Sequence, residues 1–132
     1  MYEILPHTAD VKFRINTDSL GKLFYDSLRA INDFLGPEIK KTEKAKVFKL
    51  KIMFNRLDFL LVDFLSRVLS EVYIKKMIFN LRKIKIKNKI FEAYLIGKPY
   101  ENLKKDIKAI TYHQLIVKKI KNQYIAEFII DV

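Results

Sequence analysis

Residues 78–96, IFNLRKIKIKNKIFEAYLI, decide the fold. The run from Ile78 to Ile86 alternates lysine with isoleucine from Lys83 onward, and a second apolar run extends from Ile90 to Ile96. The Asn88-Lys89 pair between them supplies a turn. A period of two is the mark of a strand with one wet face, so the stretch predicts two antiparallel strands. The same pattern returns downstream at Ile107 to Ile120 and at Tyr124 to Ile130, divided by Lys121-Asn122-Gln123. The second half of the chain is therefore predicted to be antiparallel sheet.

Upstream the period changes. Asp18-Ser19 offers side-chain oxygens for a helix start, Leu20, Leu23, Phe24, Leu28, Ile31 and Leu35 follow at helical spacing, and Gly36-Pro37 stops the run. Between Lys46 and Phe54, Val47, Lys49 and Lys51 alternate with Phe48, Leu50 and Ile52, which predicts another half-buried strand. A second helix begins at Leu57, with Leu60, Leu61, Phe64, Leu65, Val68 and Val72 in one stripe. Phe59, Val62, Leu69 and Tyr73 widen that stripe, as in a helix packed deeply against a sheet. With a strand expected around Val11 to Ile15, the prediction is a single α+β domain over residues 1–132. Its two helices cover one face of a largely antiparallel sheet.

Composition narrows the chemistry. The chain has 132 residues, half of them hydrophobic, and no cysteine. Thiolate catalysis, disulfides and cysteine-ligated metals are thereby excluded. Two histidines, His7 and His113, are too few for a histidine zinc site. The most apolar stretch, Leu57 to Ile74, carries Asp58, Asp63, Arg67 and Glu71, so it is expected in a core and not in a bilayer. Nothing near Met1 resembles a secretory signal, and a cytoplasmic location is expected. Gly21, Gly36 and Gly97 are too far apart for a phosphate loop. Ser66, His113 and an aspartate have no local context that would make a nucleophile.

The formal net charge is +11, and its placement matters more than its size. From Lys75 to Lys121 there are 14 Lys and Arg against 3 Asp and Glu, while the rest of the chain balances. The excess suits an acidic partner such as RNA or an acidic protein surface. It is equally what lysine-rich composition would give on solvated strand faces. Lysine outnumbers arginine 21 to 5, which does not indicate base-specific readout.

Two carboxylates stand at the boundaries of apolar runs, Asp10 near one end and Asp131 near the other. Chain ends of compact domains often meet. Asp10, Asp131 and the α-carboxylate of Val132 would then form a set of hard oxygen ligands suited to calcium, magnesium or manganese. The plainer alternative is a turn-closing Asp10 and a solvated Asp131.

Five blocks in order carry a family resemblance. Tyr2-Glu3-Ile4-Leu5-Pro6-His7-Thr8-Ala9-Asp10-Val11 resembles the opening signature of the archease family. Leu57-Asp58-Phe59-Leu60-Leu61-Val62-Asp63-Phe64-Leu65 resembles its central helix, and Gly97-Lys98-Pro99-Tyr100 its Gly-x-Pro-Tyr turn. Ile107-Lys108-Ala109-Ile110-Thr111-Tyr112-His113 is similar to its Lys-Ala-(Val/Ile)-Thr-Tyr-His strand, and Phe128-Ile129-Ile130-Asp131-Val132 to its C-terminus.

The resemblance implies an accessory factor for the GTP-dependent tRNA-splicing ligase, not an enzyme. Such a factor promotes guanylylation of the ligase and its repeated turnover. It implies a divalent-cation site, calcium first and magnesium or manganese as alternatives, at Asp10, Asp131 and Val132. It also implies a role for Lys108 in ligase activation, with the ligase as partner and tRNA met directly or through it. His7 is expected to support the Asp10 loop by hydrogen bonding and not as a ligand, and His113 to be a packed or edge histidine. The family is generally acidic, and this chain departs from it in its basic second half. Two other classes stay open: a basic RNA-binding or RNA-chaperone module that needs no metal site, and a small metal-dependent hydrolase.

Overall fold

The computed structural model describes residues 1–5, 10–41 and 44–132. Its elements in chain order are β1 (Tyr2–Leu5), β2 (Val11–Thr17), α1 (Leu20–Leu35), β3 (Pro37–Ile39), β4 (Lys46–Met53), α2 (Leu57–Lys75), β5 (Met77–Lys87), β6 (Ile90–Leu103), β7 (Ala109–Ile120) and β8 (Gln123–Asp131). Every strand pairing among the described residues is antiparallel. The α+β class and both helices are as the sequence predicts, but the strands form two four-stranded sheets instead of one. The first has the order β1-β2-β8-β7, and in the second β6 pairs with β3, β4 and β5. Each helix packs against both sheets, α1 against β2, β8 and β5, and α2 against β7, β5 and β4.

Local signals set the helix ends. Ser19 caps α1, its hydroxyl accepting from the Lys22 amide at 3.2 Å, and Gly36 ends it at φ +59°, a left-handed position that suits glycine. The β5–β6 hairpin turns on Asn88 and Lys89, both left-handed at φ 52° and 61°, so the two-residue loop matches the strand twist.

The core is aromatic at its centre. Phe24 of α1, Phe64 of α2 and Phe91 of β6 form a triangle with ring centroids 4.8 to 5.5 Å apart. On the first sheet Phe13 of β2 stacks on Phe128 of β8 at 5.5 Å. The alternation read for β4 holds, with Leu50 and Ile52 buried and Lys49 and Lys51 exposed. At the rim of α2, Phe59 and Tyr73 are partly exposed and reach toward β7 and the segment before it.

The Gly97-Lys98-Pro99-Tyr100 motif is not a turn. It lies inside β6, which runs unbroken for 14 residues. Gly97 pairs with Phe79 of β5, and a Cβ there would stand 2.7 Å from the Phe79 ring and 3.2 Å from Met77 Sδ. Glycine is needed because a buried ring lies against the strand. Pro99 donates no hydrogen bond, while its carbonyl accepts from the Lys40 amide at 2.9 Å. The sequence reading also missed β1 and β3, short strands without a long alternating pattern.

Gly97→Ala is expected to destabilise the fold by about 1–3 kcal/mol through overpacking against Phe79. Urea unfolding would show a lower midpoint at unchanged m-value, and Phe79→Leu in the same chain should recover part of the loss.

Candidate functional site

Backbone register assembles the end of the first sheet. Inward residues of β2 and β8 face each other as Val11 with Ile130, Phe13 with Phe128 and Ile15 with Ala126. Asp10 immediately precedes the last pair of this ladder, Val11–Ile130, and Asp131 immediately follows it. On the other side of β8, Asp131 pairs with Ala109, and its carbonyl accepts from the Lys108 amide at 2.8 Å. Residues far apart in the chain thus meet across three strands.

Alternation separates their side chains. Asp131 follows buried Ile130, so it belongs with Glu127 and Ile129 on the face turned from the helices. Lys108 has the parity of Ile110 and lines a groove of about 360 Å³ on the helix side. Ser66, Ser70, Tyr73 and Ile74 of α2 form the opposite wall. The register therefore puts Asp10 and Asp131 on either side of the Val11–Ile130 pair, and places Lys108 beside Asp131 in backbone but toward α2 in side chain. Asp10 is half-buried; Asp131, Val132 and Lys108 are exposed. Among the described residues neither aspartate carboxylate has an ion-pair partner, and neither has the Lys108 ammonium. His7 lies outside the described residues. His113 is exposed on β7, an edge strand of its sheet.

The segment that carries Lys108 is clamped to α2. The Ile107 amide donates to the Tyr73 hydroxyl at 3.0 Å, and that hydroxyl donates to Asp106 Oδ1 at 3.3 Å. Burial pushes the Tyr73 hydroxyl up from its ordinary value. Farther along, β7 loses register between Thr111 and Ile116, with Gln114 left-handed at φ 54°. This irregularity lets Tyr112 donate to Asp63 of α2 and pack edge-on against Phe59, at 5.3 Å between centroids. No local sequence signal marks these contacts, because each joins residues more than 30 positions apart.

Above the carboxylates, the outer face is tied by Glu127, which binds Arg14 Nε at 2.9 Å and Lys12 Nζ at 3.2 Å. Burial alone would raise the Glu127 carboxyl, but the hydrogen bonds from Arg14 and Lys12 outweigh it and hold the group below the ordinary glutamate range.

A protein of two small antiparallel sheets, each gripped by the same two helices, with carboxylates at one sheet end defines the class. Comparison with known proteins specifies it. Residues 2–132 match the model of the Archease protein family (MTH1598/TM1083). An archease of Pyrococcus furiosus is 28% identical over 140 residues, covering 99% of this chain and 98% of that protein. An archease of Thermoplasma volcanium is 30% identical over 123 residues, covering 89% and 90%. The crystal structure of an archease from Thermotoga maritima superposes with a TM-score of 0.70 at 17% identity, covering 100% of this chain and 98% of that one. The solution structure of Methanobacterium thermoautotrophicum protein 1598 gives 0.73 at 17% identity, covering 99% and 98%. The chain belongs to the Archease family.

Because the folded Glu127 carboxyl is depressed, its contribution is present above the unfolded value of about 4.3 and is lost as pH falls through the folded one. Glu127→Gln is expected to cost about 1 kcal/mol at pH 7, a modest figure because Arg14 is largely solvated. Denaturant midpoints of variant and parent should converge on acidification below about pH 4.

Proposed function

We propose that the chain is an accessory factor that activates the GTP-dependent tRNA-splicing RNA ligase, promoting its guanylylation and multiple turnover, and is not itself the ligase. Asp10, Asp131 and the carboxylate of Val132 would hold a divalent cation, with calcium ahead of magnesium or manganese. The observation that supports this reading is the register across β2, β8 and β7: Asp10 and Asp131 flank the Val11–Ile130 pair, and the Asp131 carbonyl accepts from the Lys108 amide.

The residues fit a hard cation. Carboxylate oxygens are its preferred donors, and no cation of the described chain neutralises either aspartate. No group of three His, Cys, Asp or Glu side chains suited to a metal forms among the described residues, and the third oxygen, from the Val132 carboxylate, is carried over from the family resemblance. When bound, such a cation supplies Lewis acidity and a bridge between anionic groups. Lys108, free of an ion pair among the described residues and held in place through Ile107 and Tyr73, presents its ammonium to the nucleotide or to carboxylates of the ligase.

The test is incorporation of labelled guanylate into the ligase, with ligase in excess over this protein. The parent chain should accelerate incorporation, and Asp10→Ala and Asp131→Ala should each lose at least 10-fold of that stimulation while staying folded by circular dichroism. Equilibrium dialysis with calcium should show binding lost in Asp131→Ala and kept in Lys108→Ala, although Lys108→Ala also loses stimulation. Full stimulation by folded Asp10→Ala would sink the carboxylate site.

A further inference from the structure

The second sheet turns a face away from the helices that the carboxylate site does not use. Its register stacks four rungs across β4, β6 and β5: Val47–Ile96–Asn80, Lys49–Tyr94–Lys83, Lys51–Glu92–Lys85 and Met53–Ile90–Lys87. Directly opposed residues share a face. The reverse face, with Leu50, Ile52, Phe91, Ala93 and Leu95, is buried against the helices. The outer face therefore carries five lysines and a single carboxylate.

Tyr94 stands at its middle. The ammonium groups of Lys83, Lys49 and Lys85 lie 4.7, 5.3 and 5.7 Å from its ring centroid. Glu92 binds Lys49 at 2.7 Å, which leaves Lys51, Lys83, Lys85 and Lys87 without an ion pair among the described residues. Apolar side chains lie toward the two ends of the face: Val47, 78% exposed, and half-buried Ile96 in the rung on one side of Tyr94, and Met53, 80% exposed, with half-buried Ile90 two rungs away on the other. Val47, Ile96, Tyr94, Lys83 and Arg82 line an open cleft of about 360 Å³ beside it.

We propose that this face binds single-stranded RNA, with a base stacked at Tyr94 and the phosphate backbone tracked by Lys51, Lys83, Lys85 and Lys87. The chemistry favours this occupant over an acidic polypeptide, because every unit of a single strand brings a flat base for Tyr94 together with an anionic phosphate for the lysines, whereas an acidic side chain brings a carboxylate without a ring. Rungs repeat about every 6.7 Å along the strands, near the spacing of successive phosphates in an extended single strand. A bare sheet face with an aromatic platform and flanking cations is a single-strand platform, whereas a duplex hides its bases. Lysine point charges without paired arginine forks make the contact tolerant of base sequence. The face lies on a different sheet from Asp10 and Asp131, so this inference does not rest on ligase activation.

The experiment is fluorescence anisotropy of a labelled 12-nucleotide single-stranded RNA, with a salt titration. Four unpaired lysines predict a slope of log Kobs against log salt of about −3. The combined Lys83→Gln, Lys85→Gln and Lys87→Gln variant should bind at least 10-fold more weakly, with the slope reduced by about 2. Tyr94→Leu should weaken binding about 10-fold at an unchanged slope. Glu92→Gln, which removes the one carboxylate, should tighten it. The chain has no tryptophan, so Tyr94→Trp installs a sole reporter whose emission should be quenched by the RNA and not by polyglutamate. Asp10→Ala should bind RNA as the parent does, which keeps this outcome separate from ligase stimulation. Unchanged affinity in the triple lysine variant overturns the proposal, as does emission of the Tyr94→Trp variant that RNA leaves unquenched. Equal or tighter binding of duplex RNA, polyglutamate or phosphatidylserine vesicles would overturn it too, and assign the face to that class of partner.

Discussion

The contact on which the rest depends is the triangle of Phe24, Phe64 and Phe91. Neither sheet can bury its apolar face alone, and each helix has to serve both. Three interlocked rings fix the two helices and β6 to one another at a density that tolerates little adjustment. With α2 held in that way, its outer edge becomes a rigid rail. Tyr73 and Asp63 on that rail hold the segment before β7 and the irregular stretch at Tyr112. Lys108 is thus placed by a chain of packing that begins in the core.

The carboxylate end depends on a different constraint, strand register. A slip of one residue between β2 and β8 would turn the apolar set of one of the two strands, Phe13 and Ile15 or Phe128 and Ile130, out of the core. The core forbids that slip, and the Val11–Ile130 pair that Asp10 precedes and Asp131 follows is held by it. Glu127, engaged with Arg14 and Lys12, ties the same two strands on their outer face. The two charged features of the molecule consequently lie on different sheets. Carboxylates sit at the end of the first, and lysines spread over the open face of the second.

Much of this was legible in the chain. Both helices, the β4 alternation, the β5–β6 hairpin and the β7–β8 pair follow from periods of 3.6 and 2 with turn residues between them, because local burial writes its own pattern. Asp10 and Asp131 stood out as candidates by their places in the chain and by family resemblance, and Lys108 by resemblance alone. Less visible were β1 and β3, too short to show a period, and the role of Gly97. That glycine reads as a turn residue until Phe79 is seen lying against it. The division of the strands into two sheets was also hidden, since the pattern of a half-buried strand does not say which neighbour it joins.

The sequence by itself determined which residues face inward, where the helices begin and end, and that the positive charge gathers in the second half. These depend on neighbours within a few positions, and local periodicity records them. Only the tertiary structure decided that Val11 pairs with Ile130 between Asp10 and Asp131, that Lys108 looks into the α2 groove, and that Lys49 and Lys83 flank Tyr94. Each of those placements comes from pairing between strands distant in the chain or from a helix packed across a sheet. The free energy that selects them belongs to the buried core as a whole.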